Sequence, residues 1–529
     1  MKNEQLKNMM NGAFLLSIAA FIVKLLSAVY RVPFQNMVGN TGFYVYQQVY
    51  PIYGIGMTFA LSGLPVYFSR KIAETDNEFE QLNLVKQSLL ILSLFSLLIF
   101  GLLYKGAGLL AGLMGDTALT PIIQSVSWMF LFMPLLATIR GYFQGTFRMK
   151  PTAVSQISEQ LIRVAVILLA AYWFTRSESM NLYQMGSYAM SGAIWGALMA
   201  SIILLWMFWK DRPRFGKTTE NTPVHHSVGV LFRGYLTEGV TICLLTAILV
   251  LFQLVDSFTL YKGLVENGVA EGLAKSLKGI YDRGQPLVQL GLVVGTGFST
   301  SFVPLMTRAY LTEQQDEFQR SANSLLRISA TFSVAAVAGL LAILPEVNLM
   351  LFGDMEGNLV LSVYIISIAA ATVMMSYHSI LQSMQQYKAT LIALAVGLLV
   401  KYIGNHYLVV SRGTLGASIA TLLGLVVMLL MMHQQLPRSL QTVWRKNHFL
   451  VKLASSASLL FIVAFLTKTL LRHYVWLNVT RPLAFLVIML TVIVAVIFFV
   501  WFILRVKLFS IREWLALPMG RKLLKWKRK

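Results

Sequence analysis

"RGYFQGTFRMKPTAVSQISEQLIRVAVILLAAYWF", residues 140–174, opens as a basic turn and closes as an apolar run. That run is long enough to cross a hydrocarbon core, which takes about 20 residues of helix. Glu159 and Arg163 stand inside it, so a full negative and a full positive charge lie where the solvent is lipid. The whole chain has the composition of that stretch: 57% hydrophobic residues, 12% charged residues and a mean hydropathy of +0.66 over 529 residues. Soluble domains carry about 25% charged residues. The composition therefore predicts an integral membrane protein.

Fourteen apolar runs follow from the same reading, near 11–31, 43–68, 83–104, 121–143, 153–174, 184–209, 235–257, 285–309, 323–345, 358–381, 389–410, 414–433, 450–471 and 482–504. None alternates with period two, so an all-α polytopic bundle is expected and a barrel is not. The first run carries Lys24 in its middle and lacks a small-residue cleavage site, which makes it a span and not a signal peptide. With the N-terminus inside, 26 Lys and Arg fall in the inner connections and tail and 10 in the outer connections. Both termini are then cytoplasmic in a multi-pass cell-membrane protein. The net charge of +22 fits anionic inner-leaflet lipid, and the tail "RKLLKWKRK" reads as a membrane-surface anchor and not as a nucleic-acid site.

An internal repeat organises the spans. A displacement of 238 residues lays Phe143-Gln144-Gly145 and Lys150-Pro151-Thr152 on Leu381-Gln382-Ser383 and Lys388-Ala389-Thr390. It also lays Gln47 on Gln285, Ser69-Arg70 on Thr307-Arg308, and Arg163 on Lys401. Gly196-Ala197 resembles Gly416-Ala417 at a slightly shorter offset. Six helices separate the copies, so the repeat is parallel, and in such transporters the substrate site lies between the halves near the midplane. The expected organisation is an N-terminal lobe at 1–209, a cytoplasmic linker at 210–234, a C-terminal lobe at 235–433, two extra helices at 434–504 and a basic tail at 505–529. The single cysteine, Cys243, excludes a disulfide framework, and the linker pair His225-His226 has no further ligand at metal spacing. No metal and no cofactor are expected.

The intramembrane charges carry the functional reading. Glu before Arg at i, i+4 is the favoured ion-pair order, so Glu159 and Arg163 can neutralise each other. Their repeat mates are Gly397 and Lys401, which leaves Lys401 without a carboxylate one turn earlier. A charge at mid-bilayer costs about 2.5 to 3.5 kcal/mol on insertion scales and so marks a wet cavity or a substrate path. Lys24 is a third midplane cation, Arg31 follows seven residues on, and Arg283 enters the mouth of the eighth span. Glu159, Glu238 and Asp256 are the opposing acids, candidates for charge pairing or for Na⁺ or H⁺ coupling. Cations outnumber acids, so an anionic substrate is expected. Gln47, Tyr50, Tyr53 and Gln285 are candidate polar or aromatic groups along its path.

The stretches "KLLSAVYRVPFQNMVGNTGFYVYQQVYPIYGIGM" (24–57), "GLPVYFSRKIAE" (63–74), "RGYFQGTFRMKPTAVSQISEQLIRV" (140–164) and "YDRGQPLVQL" (281–290) resemble the polysaccharide-biosynthesis and stage V sporulation protein B family. The resemblance spans nearly the whole chain. It implies a place among the multidrug/oligosaccharidyl-lipid/polysaccharide exporters, with two six-helix lobes plus two helices. It also implies a flippase, not an enzyme, moving undecaprenyl-pyrophosphate-linked sugars, lipid II among them, to the outer leaflet, with cell-wall synthesis proteins as possible partners. By position Lys24, Arg31 and Arg283 correspond to cavity arginines of related lipid II flippases. Lysine at 24 keeps the charge but not the planar fork that grips a phosphate with two bonds. A cation-coupled multidrug antiporter would carry exposed cavity carboxylates, and a non-transporting envelope scaffold would tolerate charge reversal in the cavity. Those are the two alternatives.

Overall fold

The computed structural model describes residues 2–75, 77–210, 228–474 and 480–517. The His225-His226 pair, most of the 210–234 linker and the end of the basic tail lie outside them. Among the described residues every regular element is helical, and twelve segments are long and apolar enough to cross a membrane. By packing, the chain divides into two units, Met1–Asp282 and Arg283–Lys529.

The first unit starts with α1 (Lys2–Val29) and α2 (Arg31–Thr58). Hydrogen bonds run on across Tyr30, from Tyr30 N to Leu26 O at 3.2 Å and from Phe34 N to Tyr30 O at 3.1 Å. The real break comes at Gly39, whose φ of 70° and ψ of −175° are open to glycine almost alone. There the chain folds back, so that Tyr30 meets Tyr46, with hydroxyls 3.1 Å apart, and Phe34 meets Phe43. One continuous helical segment, Leu15–Ala73, thus covers the first two expected spans. A π-helical turn, Phe59–Gly63, leads into α3 (Leu64–Ala73).

Asn77 then caps α4 (Glu78–Lys105), its side chain accepting from Phe79 N at 2.9 Å, with Glu78 and Glu80 in the first turn where the helix dipole favours them. The short α5 (Ala107–Leu113) and α6 (Thr120–Ser127) precede α7 (Met133–Gly145), and a tight turn joins α7 to α8 (Met149–Arg176). After α9 (Leu182–Lys210) comes α10 (Val228–Gly234), at the end of the expected linker, and the seventh expected run is then divided among a second π-turn at Tyr235–Gly239, α11 (Val240–Thr246) and the start of α12 (Ile248–Glu266). Gly63 allows close contact here: a Cβ on it would stand 2.0 Å from the sulfur of Cys243, which is buried. The unit ends with α13 (Glu271–Asp282).

The second unit contains α14 (Gly284–Leu311), α15 (Gln315–Phe352), α16 (Asn358–Ser383) and α17 (Tyr387–Gln435). The 49-residue α17 covers the eleventh and twelfth expected spans and bends at Gly413 (φ 57°, ψ −136°). Its two arms pack closely: a Cβ on Gly404 would lie 2.9 Å from the Cβ of Ala420. The unit closes with α18 (Arg438–Gln441), α19 (Phe449–Tyr474), α20 (Arg481–Arg505) and α21 (Ile511–Ala516).

The turns after α7 and after α16 are alike. Phe147 and Gln385 are both left-handed, with φ of 58° and 60°. Arg148 N bonds Phe143 O, and Gln386 N bonds Leu381 O, each at 2.8 Å. Gly115 and Gly353 form a second such pair, with φ of 85° and 88°. Each pair is separated by the 238 residues of the sequence displacement.

Candidate functional site

Tyr46, Tyr50 and Tyr53 are spaced four and three apart on α2, so one helical face presents three rings. Consecutive centroids lie 6.3 and 5.7 Å apart. Two guanidinium groups are set against this face. Arg31, opposite across the Gly39 fold, lies over the Tyr50 ring at 4.4 Å. Arg163, on α8, lies over Tyr53 at 3.9 Å and is 5.7 Å from the Tyr50 centroid. Cation–π contact stabilises such placements by about 0.5 to 2 kcal/mol, more as water is removed.

Hydrogen bonds fix Arg163 further. It donates to Gln160 Oε1 at 3.1 Å, to the Tyr30 hydroxyl at 3.1 Å and to the Tyr46 hydroxyl at 3.2 Å. Glycines on α9 let that helix close on α8 at this level: a Cβ on Gly192 would stand 2.9 Å from Arg163 O, and one on Gly196 2.7 Å from Glu159 O. Arg31 is held differently. It is fully buried, and none of its three guanidinium nitrogens meets a partner at hydrogen-bonding geometry.

The expected ion pair between Glu159 and Arg163 is not formed. Glu159 Oε2 is 2.6 Å from Nη2 of Arg140, a residue of α7. Arg140 also donates to Ser155 Oγ at 3.1 Å and to Ala60 O in the first π-turn at 3.3 Å. Its fork therefore reaches three groups from one position, which the single turn between Glu159 and Arg163 could not match. Arg163 has no carboxylate in ion-pair contact among the described residues.

The remaining expected residues are dispersed. Lys24 is exposed on α1, and Gln47 is buried in α2. Glu238 pairs with Arg70 at a part-exposed position. Asp256 is buried and accepts from the Tyr281 hydroxyl at 2.9 Å. Nearby on α13, Lys278 and Asp282 form a buried pair at 2.7 Å.

In the second unit, Gln285 is buried. Arg283 is gripped by Asp354 through two bonds of 2.5 and 2.7 Å, over the Phe352 ring at 4.9 Å. Lys401 is fully buried and donates to Thr421 across the α17 bend.

Sequence reasoning thus found Arg31, Arg163, Tyr50 and Tyr53, which come together. It missed Arg140, Tyr30, Tyr46 and Gln160. The 46/50/53 spacing was a usable sign for Tyr46, whereas Arg140 lies in the turn-like start of its stretch and gave none.

A family model for polysaccharide biosynthesis proteins matches residues 9–310. An uncharacterized membrane protein, YabM, of Bacillus subtilis (strain 168) is 37% identical over 518 residues, covering 98% of this chain and 96% of that protein. The lipid II flippase MurJ of the same organism is 23% identical over 449 residues, covering 80% and 81%. Among solved structures, a lipid II flippase MurJ in an inward closed conformation superimposes with a TM-score of 0.68 at 15% identity, covering 93% of this chain and all of that one. An inward-facing multidrug resistance MATE family transporter of the MOP superfamily gives 0.64 at 14% identity over 82% of this chain. These two likenesses are of fold.

Proposed function

The chain belongs to the polysaccharide biosynthesis protein family, and from that premise we propose that it is a flippase for pyrophosphate-linked sugar lipids. One observation carries the reading. Of the buried cations of the first unit, Arg140 and Lys278 each have a carboxylate, while Arg31 and Arg163 share a tyrosine-lined site without one in ion-pair contact. Two buried guanidinium groups with no carboxylate in ion-pair contact among the described residues make a site suited to an anion. A diphosphate fits it, because planar forks bind phosphate oxygens in pairs.

The head group would enter this site from the inner leaflet while its lipid tail stays among the helices. The lobes would then alternate in access, and the matched turns at Phe147 and Gln385 support two related lobes. Lys24 on α1 is a further cation on the path. Similarity to a protein named lipid II flippase makes undecaprenyl-pyrophosphate-linked sugars the first substrates to test. The excess of Lys and Arg in the inner connections supports cytoplasmic termini. Against a drug antiporter stands the pairing of acids already described: Glu159 with Arg140, Glu238 with Arg70 and Asp282 with Lys278.

The test is head-group specific. Charge-assisted hydrogen bonds contribute about 1.5 to 3 kcal/mol each, so Arg163→Met should weaken binding of pyrophosphate-linked sugar lipids about ten- to a hundredfold. A neutral lipid-linked sugar of equal size should bind parent and variant alike, and liposomes bearing the parent should move only the charged lipid. Normal pyrophosphate-lipid binding by the variant, or a parent that prefers organic cations, would refute the flippase reading.

A further inference from the structure

Where α20 ends, the second unit holds a pocket of about 410 Å³, within the range of small-ligand sites. Arg327 of α15 forms one wall; Asn447, Lys507, Phe509, Ser510 and Trp514 line the rest. The charge of Arg327 is used within that wall. Its Nε is 3.2 Å from Glu513 Oε1, its Nη2 donates to Leu508 O at 2.5 Å, and its guanidinium lies over the Phe449 ring at 4.7 Å. Glu513, itself buried, is also tied to the Ser510 amide at 2.6 Å. Lys507 is exposed and has no ion-pair partner among the described residues. The pocket therefore carries one uncompensated positive charge, with neutral donors at Asn447 and Ser510 beside it.

The backbone points to the same place. Asn447 and Lys507 are both left-handed, with φ of 55° and 52°. That conformation is uncommon for a lysine. Two such residues, from segments far apart in sequence, line one pocket. The Lys507 turn closes α20 as the Phe147 turn closes α7, with Leu508 N bonding Ile503 O at 3.1 Å, and it fixes the lysine at the rim of the pocket.

The pocket's position indicates the ligand. The apolar α20 ends at Arg505, which lies over the Trp501 ring at 5.4 Å, an aromatic–cation pairing suited to a membrane interface. Beyond it, α21 buries Trp514 and leaves Ile511 70% and Leu515 50% exposed. A short helix with apolar side chains outward beside an unpaired lysine matches the headgroup layer, with hydrocarbon on one side and phosphate on the other.

We propose that this pocket binds the phosphate of an anionic lipid headgroup. Lys507 supplies the countercharge, Asn447 and Ser510 donate to the phosphate oxygens, and the acyl chains run past Ile511 and Leu515. The pocket shares no residue with the Arg31–Arg163 site.

The test uses full-length purified protein and native mass spectrometry with phosphatidylglycerol and, for comparison, phosphatidylcholine. The parent should retain phosphatidylglycerol in preference. Lys507→Gln should weaken the tightest binding roughly five- to tenfold, as expected for one lysine near a lipid phosphate, and Lys507→Arg should keep it. Lys210→Gln, which removes another exposed cation at a helix end, should change nothing. Excess inorganic phosphate that leaves the lipid bound assigns the pocket to the lipid headgroup; phosphate that displaces it at comparable concentration assigns the same contacts to free phosphate. Equal affinity in the parent and Lys507→Gln, or an equal loss in Lys210→Gln, overturns the proposal.

Discussion

Glu159 gives its carboxylate to Arg140 on the preceding helix, 2.6 Å away, and not to Arg163 one turn along its own. Both partners are buried, with side-chain exposures of 0% and 3%. Removing one partner of such a pair leaves a lone charge in a dry place, at a cost of about 3 to 5 kcal/mol, whereas removing both is far milder. Arg140→Met and Glu159→Gln should each lower the thermal unfolding temperature in detergent, and the double variant should recover most of the loss. Arg163→Met combined with Glu159→Gln should show no such recovery. Recovery in that second cycle would restore the intrahelical pair.

Topology is open to labelling. Asn77, Asn181 and Asn267 are exposed, Asn77 just before α4 and the other two in connections of opposite expected side. After Cys243→Ala, single cysteines at 181 and 267 should react with an impermeant thiol reagent in intact cells, and one at 77 should be protected. Labelling at 77 from outside would reverse the orientation and the direction of transport.

Acid should loosen the second unit at one identifiable point. Burial alone would raise the Asp354 carboxyl, but hydrogen bonds from Arg283 and from the Glu356 amide outweigh it and hold the group below the usual carboxylate range. A depressed folded value means that the contribution is complete above the unfolded value of about 4 and is lost as pH falls through the lower folded value. Asp354 is 35% exposed, so solvent screening keeps the effect modest. Thermal stability should decline below about pH 4, and Asp354→Asn should be less stable at neutral pH with a shallower acid limb. An unchanged acid limb in that variant would remove the pair from the account.

What the sequence made legible follows from which forces act locally. Apolar runs and their lengths are local, so helices and their approximate bounds could be read. The gaps between expected spans bracket the two folds, at 32–42 and 411–413, but nothing local picks out Gly39 or Gly413 as the residue with a left-handed φ. Charge pairing is decided between helices. Periodicity put Arg163 one turn from Glu159 correctly, but it cannot show that Arg140 comes closer from another helix. The aromatic face was half read: Tyr50 and Tyr53 were singled out, while Tyr46, four residues earlier on the same face, was left aside. Arg283 was expected as a cavity cation, and its two-bonded partner Asp354 lies in a connection 71 residues away that carried no sign of it.

Arg31 and Arg163 differ in a way that separates binding from stability. Arg163 makes three hydrogen bonds, whereas Arg31, equally buried, makes none of good geometry, lies against the Tyr50 ring and beside the Tyr30 hydroxyl, and places a second positive charge near the first. A buried charged donor left unsatisfied costs about 1 to 3 kcal/mol or more, and functional sites retain such costs because the ligand removes them. Methionine follows the arginine chain as far as Nε, fills the space of its apolar stem and needs no partner. Arg31→Met should therefore raise the unfolding temperature of the ligand-free protein while weakening pyrophosphate-lipid binding, and Arg163→Met should lower both. Adding the pyrophosphate lipid should stabilise the parent more than Arg31→Met, narrowing or reversing the gap between them. If Arg31→Met unfolds earlier than the parent without ligand, Arg31 is a structural cation whose ring contact suffices, and the anion-binding reading loses its second guanidinium.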